Sequence, residues 1–102
     1  MNLVGAWIVD ETDMRALADL GDVLLEFGEG GGLIYTIRGK DKDQIIKLRY
    51  RIEGSTIVTD QPSAPQVERT AFSLSDDGLL TLAFSGTPYR FKLVQGGLEP
   101  KA

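Results

Sequence analysis

The clearest pattern in this sequence of 102 residues is the stretch QIIKLRYRI, residues 44–52. Large apolar or aromatic side chains alternate with mainly charged ones along it. Because successive side chains of a strand point to opposite faces of a sheet, we predict a β-strand with one face toward a core and the other toward water. The predicted inward set is Ile46, Leu48, Tyr50 and Ile52, and the predicted outward set is Ile45, Lys47, Arg49 and Arg51.

The same alternation occurs on both sides of this stretch, and it predicts seven further strands. Their connections are short and contain glycine, as in tight hairpin turns, except where two prolines interrupt residues 60–66. The strands are predicted at about residues 4–10, 23–27, 33–37, 44–52, 56–59, 67–75, 79–85 and 89–93.

One helix is predicted between the first and second strands, over residues 13–20. Thr12 or Asp13 can cap its start, and Gly21 stands where a left-handed residue would end it. Its apolar residues at helical spacing predict the face that packs on the core. These residues are Met14, Leu17 and Ala18.

Eight short strands joined mostly by tight turns predict an all-β fold, a small eight-stranded antiparallel barrel with one short helix between strands one and two. Closing the sheet removes the exposed edges that an open sheet would present. We expect residues 1–95 to form this barrel and residues 96–102 to form a flexible C-terminal tail.

Composition excludes several classes of function. The chain has no histidine and no cysteine, which excludes disulfides, Cys/His zinc sites and nucleophiles that depend on either residue. We therefore expect a protein that is not an enzyme and that has no cofactor. No apolar run approaches the roughly 18 residues of a membrane span. Nor does a signal sequence precede the first strand, so we predict a cytoplasmic protein, or a periplasmic or secreted one if a signal peptide has been trimmed.

The net charge of −4 argues against nucleic acid as a partner, because phosphate backbones attract basic proteins. Charge is nevertheless uneven, since the charged residues within 10–29 are mostly acidic whereas those within 38–51 are mostly basic. Two faces of opposite charge are compatible with a protein partner or with a simply solvated surface. The alternative function is therefore a protein–protein interaction domain that uses barrel loops or charged faces and has a filled core. The oligomeric state stays open.

Three local features resemble ion sites but have simpler explanations. The glycine-rich run 28–32 precedes a strand and not a helix, so it lacks the geometry of a phosphate loop. The run Asp76-Asp77-Gly78 has too few oxygen ligands for calcium and predicts a hairpin turn. The acids Asp10, Glu11 and Asp13 stand at the start of the predicted helix, where capping accounts for them.

The motif Gly5-Ala6-Trp7, preceded by Leu3-Val4, resembles the start of the first strand in the lipocalin-like, or calycin, superfamily. The chain looks most like the small bacterial lipocalin-like domains of unassigned function. Residues 59–65 and the run Glu68-Arg69-Thr70 are also similar to theirs. The resemblance implies a barrel that holds a small hydrophobic ligand. Classical lipocalins place an arginine on the tryptophan; Arg90 matches by position, but its alternation points it outward.

The sequence predicts a binding site inside the barrel for a small apolar or amphipathic molecule. Glu68 and Thr70 share the inward face of their strand with Phe72, which brings a carboxylate and a hydroxyl toward one barrel end. These two polar groups are open to a structural, a ligand-orienting or a catalytic role. Trp7 is open to core packing or ligand stacking. The predicted ligand-binding residues are Trp7, Tyr35, Leu48, Tyr50, Glu68, Thr70, Phe72 and Phe84.

Overall fold

Eight strands and one helix follow one another in the order that the sequence predicts. The structure is a computed structural model that describes residues 3–61 and 67–94. The elements are β1 (Gly5–Val9), α1 (Met14–Leu20), β2 (Val23–Phe27), β3 (Gly32–Ile37), β4 (Gln44–Glu53), β5 (Thr56–Asp60), β6 (Val67–Leu74), β7 (Leu79–Phe84) and β8 (Thr87–Leu93).

Each strand pairs with its neighbours in the chain, and β8 pairs with β1, so the sheet closes into an antiparallel barrel. The closing ladder, here called the seam, aligns Trp7 with Leu93 and Val9 with Phe91. Closure satisfies the backbone of both terminal strands, which would otherwise be exposed edges. The predicted all-β, eight-stranded antiparallel barrel with one short helix between strands one and two is confirmed.

Antiparallel order places the connections at two ends of the barrel. The hairpins after β2, β4 and β6 lie at one end, here called the glycine-loop end. The other end, called the helix end, carries α1 and the connections after β3 and β7. There β5 also finishes and β6 begins. The two ends therefore differ in their connections: those at the glycine-loop end are hairpin turns, whereas the helix lies at the other end together with the β7–β8 turn.

Trp7 belongs to the hydrophobic core. It is 4% exposed, and its indole Nε1 donates a hydrogen bond of 3.0 Å to the carbonyl oxygen of Leu3, which is itself 1% exposed. A buried indole needs such a partner for its N–H. Phe91 and Leu80, both 0% exposed, belong to the same core.

Asp13 begins the helix, and Gly21 ends it. The Asp13 carboxylate accepts from the Ala16 N–H at 3.1 Å, which resolves the choice between Thr12 and Asp13 as the cap. Gly21 has a φ of 75° and donates its N–H to the carbonyl oxygen of Leu17 at 3.1 Å. The predicted start and end of this helix are both confirmed.

The predicted buried face of the helix was wrong. Met14 is 71% exposed and Leu17 is 39% exposed, and Ala18 is also exposed, whereas Ala16 is fully buried. Contacts to β8 fix the rotation of this short helix: Asp13 accepts from the Arg90 N–H at 2.9 Å, and Asp19 accepts from the Tyr89 hydroxyl at 2.8 Å. These contacts turn the Ala16 side of the helix, and not its longer apolar side chains, toward the barrel.

A polar cluster joins the end of β1 to β8 beside the seam. Asp10 is 6% exposed and accepts from the Thr12 N–H at 3.1 Å, the Thr12 hydroxyl at 2.9 Å and Arg90 Nε at 3.3 Å. Lys92 Nζ lies 2.6 Å from Glu11 Oε1. Arg90 thus points outward, as its alternation predicts, and the acids near the helix start cap the helix or pair with the basic side chains of β8. Within residues 3–61 and 67–94 no group of side chains suits a metal ion.

The β7–β8 turn is tighter than predicted. The sequence placed it at residues 86–88, but Phe84 pairs with Thr87, so the turn consists of Ser85 and Gly86 alone. Both have positive φ, 53° and 84°, as a type I′ turn requires. Ser85 is the sole residue other than glycine with positive φ in the described ranges, and this backbone conformation is unfavourable for serine.

Replacing Ser85 with asparagine is expected to raise the free energy of unfolding by about 0.5–1 kcal/mol, because asparagine tolerates positive φ better and Asn-Gly suits this turn type. Urea unfolding measures the gain. The matched control is Ser55→Asn in the β4–β5 turn, where φ is not positive and no such gain is expected. A Ser85→Asn protein no more stable than the original would contradict the turn assignment.

Residues 96–102, predicted to be a flexible tail, lie outside the described residues, as do residues 62–66 within the proline-containing connection. No helix in the part of the chain that the structure describes is long and apolar enough to cross a membrane.

Candidate ligand cavity

A cavity of about 220 Å³ lies inside the barrel, lined by residues of β2 through β7 and by Gln61. Several of the lining residues lie near the helix end of the barrel, among them Phe84 at the end of β7 and Gln61 directly after β5. Neither the helix nor β1 or β8 contributes to the lining in the described part of the chain. The cavity therefore occupies the side of the barrel away from the seam.

The wall of the cavity is apolar. Strand alternation brings pairs of large side chains from consecutive strands inward, and cross-strand pairing sets them side by side. Leu25 pairs with Tyr35, and Tyr35 pairs with Ile46. In the next row Phe27 pairs with Leu33, and Leu33 pairs with Leu48. Ile57, Leu82 and Phe84 complete the wall. Such a surface binds hydrocarbon or aromatic groups.

The mouth of the cavity is polar. The polar lining residues are Thr59, Gln61, Glu68 and Thr70. The first three stand where β5 ends and β6 begins, and Thr70 lies further along β6, opposite Ile57. Thr59 pairs directly with Glu68 across the two strands. Glu68 is exposed, whereas Thr59 and Thr70 are half-buried. Glu68 therefore lines the cavity from the solvent side, at the barrel end predicted from the alternation along its strand.

Tyr35 adds a hydroxyl to the apolar wall. A phenol with the ordinary pKa of 10.0 is already neutral at physiological pH, and burial raises the pKa of Tyr35 further, because desolvation disfavours the phenolate. The neutral phenol can donate or accept a hydrogen bond, and it places no charge in the cavity.

Five of the eight predicted ligand-binding residues line the cavity: Tyr35, Leu48, Glu68, Thr70 and Phe84. Trp7 and Phe72, which are 4% and 6% exposed in the core, do not line it; Trp7 stands on β1, a strand that contributes nothing to the described lining. Tyr50 does not line the cavity either. Its hydroxyl donates to the Gly28 carbonyl at 2.8 Å. The ring centroids of Tyr50 and Phe27 lie 5.0 Å apart, with the two rings nearly perpendicular. Tyr50 thus holds the hairpin at the glycine-loop end.

The prediction missed eight lining residues. Their signal was present in the sequence, since Leu25 and Phe27 share one face of β2, and Leu33 shares a face with Tyr35. Assigning each strand's inward face would have found most of them. The missed residues are Leu25, Phe27, Leu33, Ile46, Ile57, Thr59, Gln61 and Leu82.

The described lining of the cavity carries one charged side chain, and it is acidic. Glu68 is the single acidic residue among those that line it in the described ranges, and none of these residues is a lysine or an arginine. Basic side chains instead lie on the outer surface, where Lys47, Arg49 and Arg51 are exposed as predicted. An anionic ligand would thus lie near the Glu68 carboxylate, and it would find no lysine or arginine in the described lining.

Two of the outer arginines cover an apolar side chain. Val58 is flanked in the register by Arg51 and Arg69, and it is 2% exposed. Both guanidinium groups reach Glu53, at 2.7 Å from Arg51 and 3.0 Å from Arg69. These hydrogen bonds, first from Arg51 and then from Arg69, lower the pKa of Glu53. Part of the basic face is therefore neutralised within the molecule.

The fold and the cavity define a small closed barrel with an internal cavity, an architecture consistent with a lipocalin-like fold. No protein-family model matches the sequence, and no curated protein or solved structure is significantly similar to the chain.

Proposed function

We propose that this protein is a non-catalytic binding module that takes one small apolar or amphipathic molecule into the barrel. The observation that carries this proposal is the cavity of about 220 Å³ with an apolar wall and a polar mouth. Membership of the lipocalin-like group is part of the proposal. Barrel closure, strand order and the position of Trp7 on the first strand support it.

The size of the cavity limits the ligand. Pockets for drug-sized molecules usually measure about 300–1,000 Å³, whereas an apolar cavity of about 150 Å³ can bind benzene. A cavity of about 220 Å³ therefore fits one aromatic ring with a short side chain, or an alkyl chain of similar volume. A long fatty acid is too large.

The lining favours binding over catalysis. General acid–base chemistry needs a titrating group with a matched partner, and nucleophilic chemistry needs an activated nucleophile. Glu68 is the one carboxylate among the described lining residues, and its neighbours there are threonine hydroxyls and an amide. This set can orient a ligand by hydrogen bonds, which supports the non-catalytic proposal.

Filling the cavity tests the proposal. Leu48→Trp adds volume to the inner wall, so it is expected to weaken binding of phenethyl alcohol, an uncharged probe, by about tenfold or more. Isothermal titration calorimetry measures the affinity, and native mass spectrometry of the purified protein reports any co-purified ligand. Ile45→Trp is the matched control, because Ile45 is 58% exposed on the outer face of the same strand. Equal affinities for the two variants would reject the cavity as the binding site.

A second candidate function, from a different class, is a protein-interaction domain whose barrel is only a scaffold. The exposed apolar residues Ile45 and Val67, 58% and 61% exposed, lie on the outer surface of the same sheet as the basic side chains of β4 and favour it. The same two variants separate the candidates. Ile45→Trp would weaken docking of a protein partner and leave ligand binding intact, whereas Leu48→Trp would do the reverse.

A further inference from the structure

We propose that the ligand is a small amphipathic amine, whose cationic head is held by Glu68 at the mouth while its apolar body fills the cavity. This inference depends on the proposed binding function and adds the chemical class of the ligand.

The charge of the lining discriminates among ligands. Carboxylate and phosphate ligands need a cationic partner or several N–H donors once they leave water. The described lining offers them no lysine or arginine, and it presents the Glu68 carboxylate at the mouth. The Glu68 carboxylate repels an anionic ligand, whereas it attracts a protonated amine.

The position of Glu68 suits a ligand that lies across the mouth. Its strand, β6, brings Glu68 and Thr70 to the same inner face, and Thr59 faces Glu68 from β5. An ammonium group has three donors, and the carboxylate and the two threonine hydroxyls are acceptors. Glu68 has an interaction of its own. A carboxylate has about four acceptor positions, however, so it can accept a ligand N–H in addition.

The wall suits the rest of such a molecule. Phe27, Tyr35 and Phe84 supply aromatic surface around the cavity, and the phenol of Tyr35 is neutral at pH 7. The volume of about 220 Å³ fits one ring and a two-carbon chain. A phenethylamine-like molecule therefore has a suitable size, with its amine at the mouth.

Three probes of nearly equal shape test the charge preference. They are phenethylamine, a cation; phenethyl alcohol, which is neutral; and phenylacetate, an anion. Isothermal titration calorimetry at pH 7 and low ionic strength is expected to give phenethylamine an affinity about threefold to tenfold above that of the alcohol, with phenylacetate the weakest. Added salt should reduce the advantage of the amine, since the mouth is open to solvent.

The variant Glu68→Gln keeps the shape of the side chain and removes its charge. It is expected to bring the affinity for phenethylamine down to that for the alcohol, and to leave the affinity for the alcohol unchanged. Glu26→Gln is the matched control, since Glu26 is an exposed glutamate of β2 that lies outside the cavity lining. It should leave the order of the three affinities as it is.

The possible outcomes separate this inference from the proposed function. If the alcohol binds and the amine binds no better, or if phenylacetate binds best, the amine preference is wrong and the cavity remains a binding site. An amine preference that survives Glu68→Gln would also overturn the role of Glu68. If none of the three probes binds, the proposed function fails, and this inference fails with it.

Discussion

Replacing Trp7 with alanine is expected to lower the free energy of unfolding by about 3–5 kcal/mol, which is a large part of the total stability of a domain of this size. The indole is 4% exposed, so its removal leaves a cavity in the core and also leaves the Leu3 carbonyl without its hydrogen bond. Urea unfolding followed by circular dichroism measures the loss, since the variant has no tryptophan for fluorescence.

Trp7→Phe separates the two contributions. Phenylalanine keeps an aromatic ring in the core but cannot donate to Leu3, so we expect a smaller loss than for alanine. A loss below about 1 kcal/mol for Trp7→Ala would show that Trp7 contributes little to the core, contrary to its burial.

Replacing Asp10 with alanine is expected to cost about 2–3 kcal/mol at pH 7. Asp10 accepts hydrogen bonds from the Thr12 N–H, the Thr12 hydroxyl and Arg90, and hydrogen bonds to a charged group are among the stronger ones. Removing the carboxylate leaves these donors without their acceptor beside the seam.

The same carboxylate predicts how stability depends on pH. The Thr12 N–H, the Thr12 hydroxyl and Arg90 lower the pKa of Asp10, and the Arg90 N–H lowers the pKa of Asp13. A pKa that is lower in the folded state contributes stability above the unfolded value, about 3.9, and this contribution is lost as the pH falls through the folded value. Stability should therefore fall below about pH 4, and less steeply in Asp10→Ala.

Glu11→Ala is the control for Asp10. Glu11 also pairs with a basic residue of β8, Lys92, but its side chain is 71% exposed. Exposed ion pairs contribute little, so this variant should change stability only slightly. Equal losses of stability for the two variants would contradict the prediction that Asp10 stabilises the fold more than Glu11 does.

Alternation along the strands predicted most of the fold. In β4 the side chains at 46, 48 and 50 are half-buried and those at 45, 47, 49 and 51 are exposed, as the pattern of two required. Ile52, also predicted to face inward, pairs with Ile57 but is 36% exposed near the end of the strand. The helix was found at the right place, but its buried face was not. A helix of seven residues is rotated by its contacts with β8, and these join Asp13 to Arg90 and Asp19 to Tyr89, residues far apart in sequence.

Alternation also explains which parts of the candidate site were predicted. It placed Tyr35, Leu48, Glu68 and Thr70 inside the barrel, where they line the cavity. It could not separate them from Tyr50 or Phe72, which are oriented toward the same interior. Alternation determines the face on which a side chain lies, whereas its height in the barrel depends on strand register and tilt. The hydrogen bond that directs Tyr50 to Gly28 has no counterpart in the pattern.

The seam makes the order of the strands circular, so that no strand of the barrel is first or last. Seven of the eight ladders join strands that are consecutive in the chain, and the seam alone joins β1 to β8. Bringing the two strands together costs chain entropy that short connections do not have to overcome. Proximity along the chain therefore helps strand pairing least at the seam. The ion pairs Arg90–Asp10 and Lys92–Glu11 lie beside this ladder.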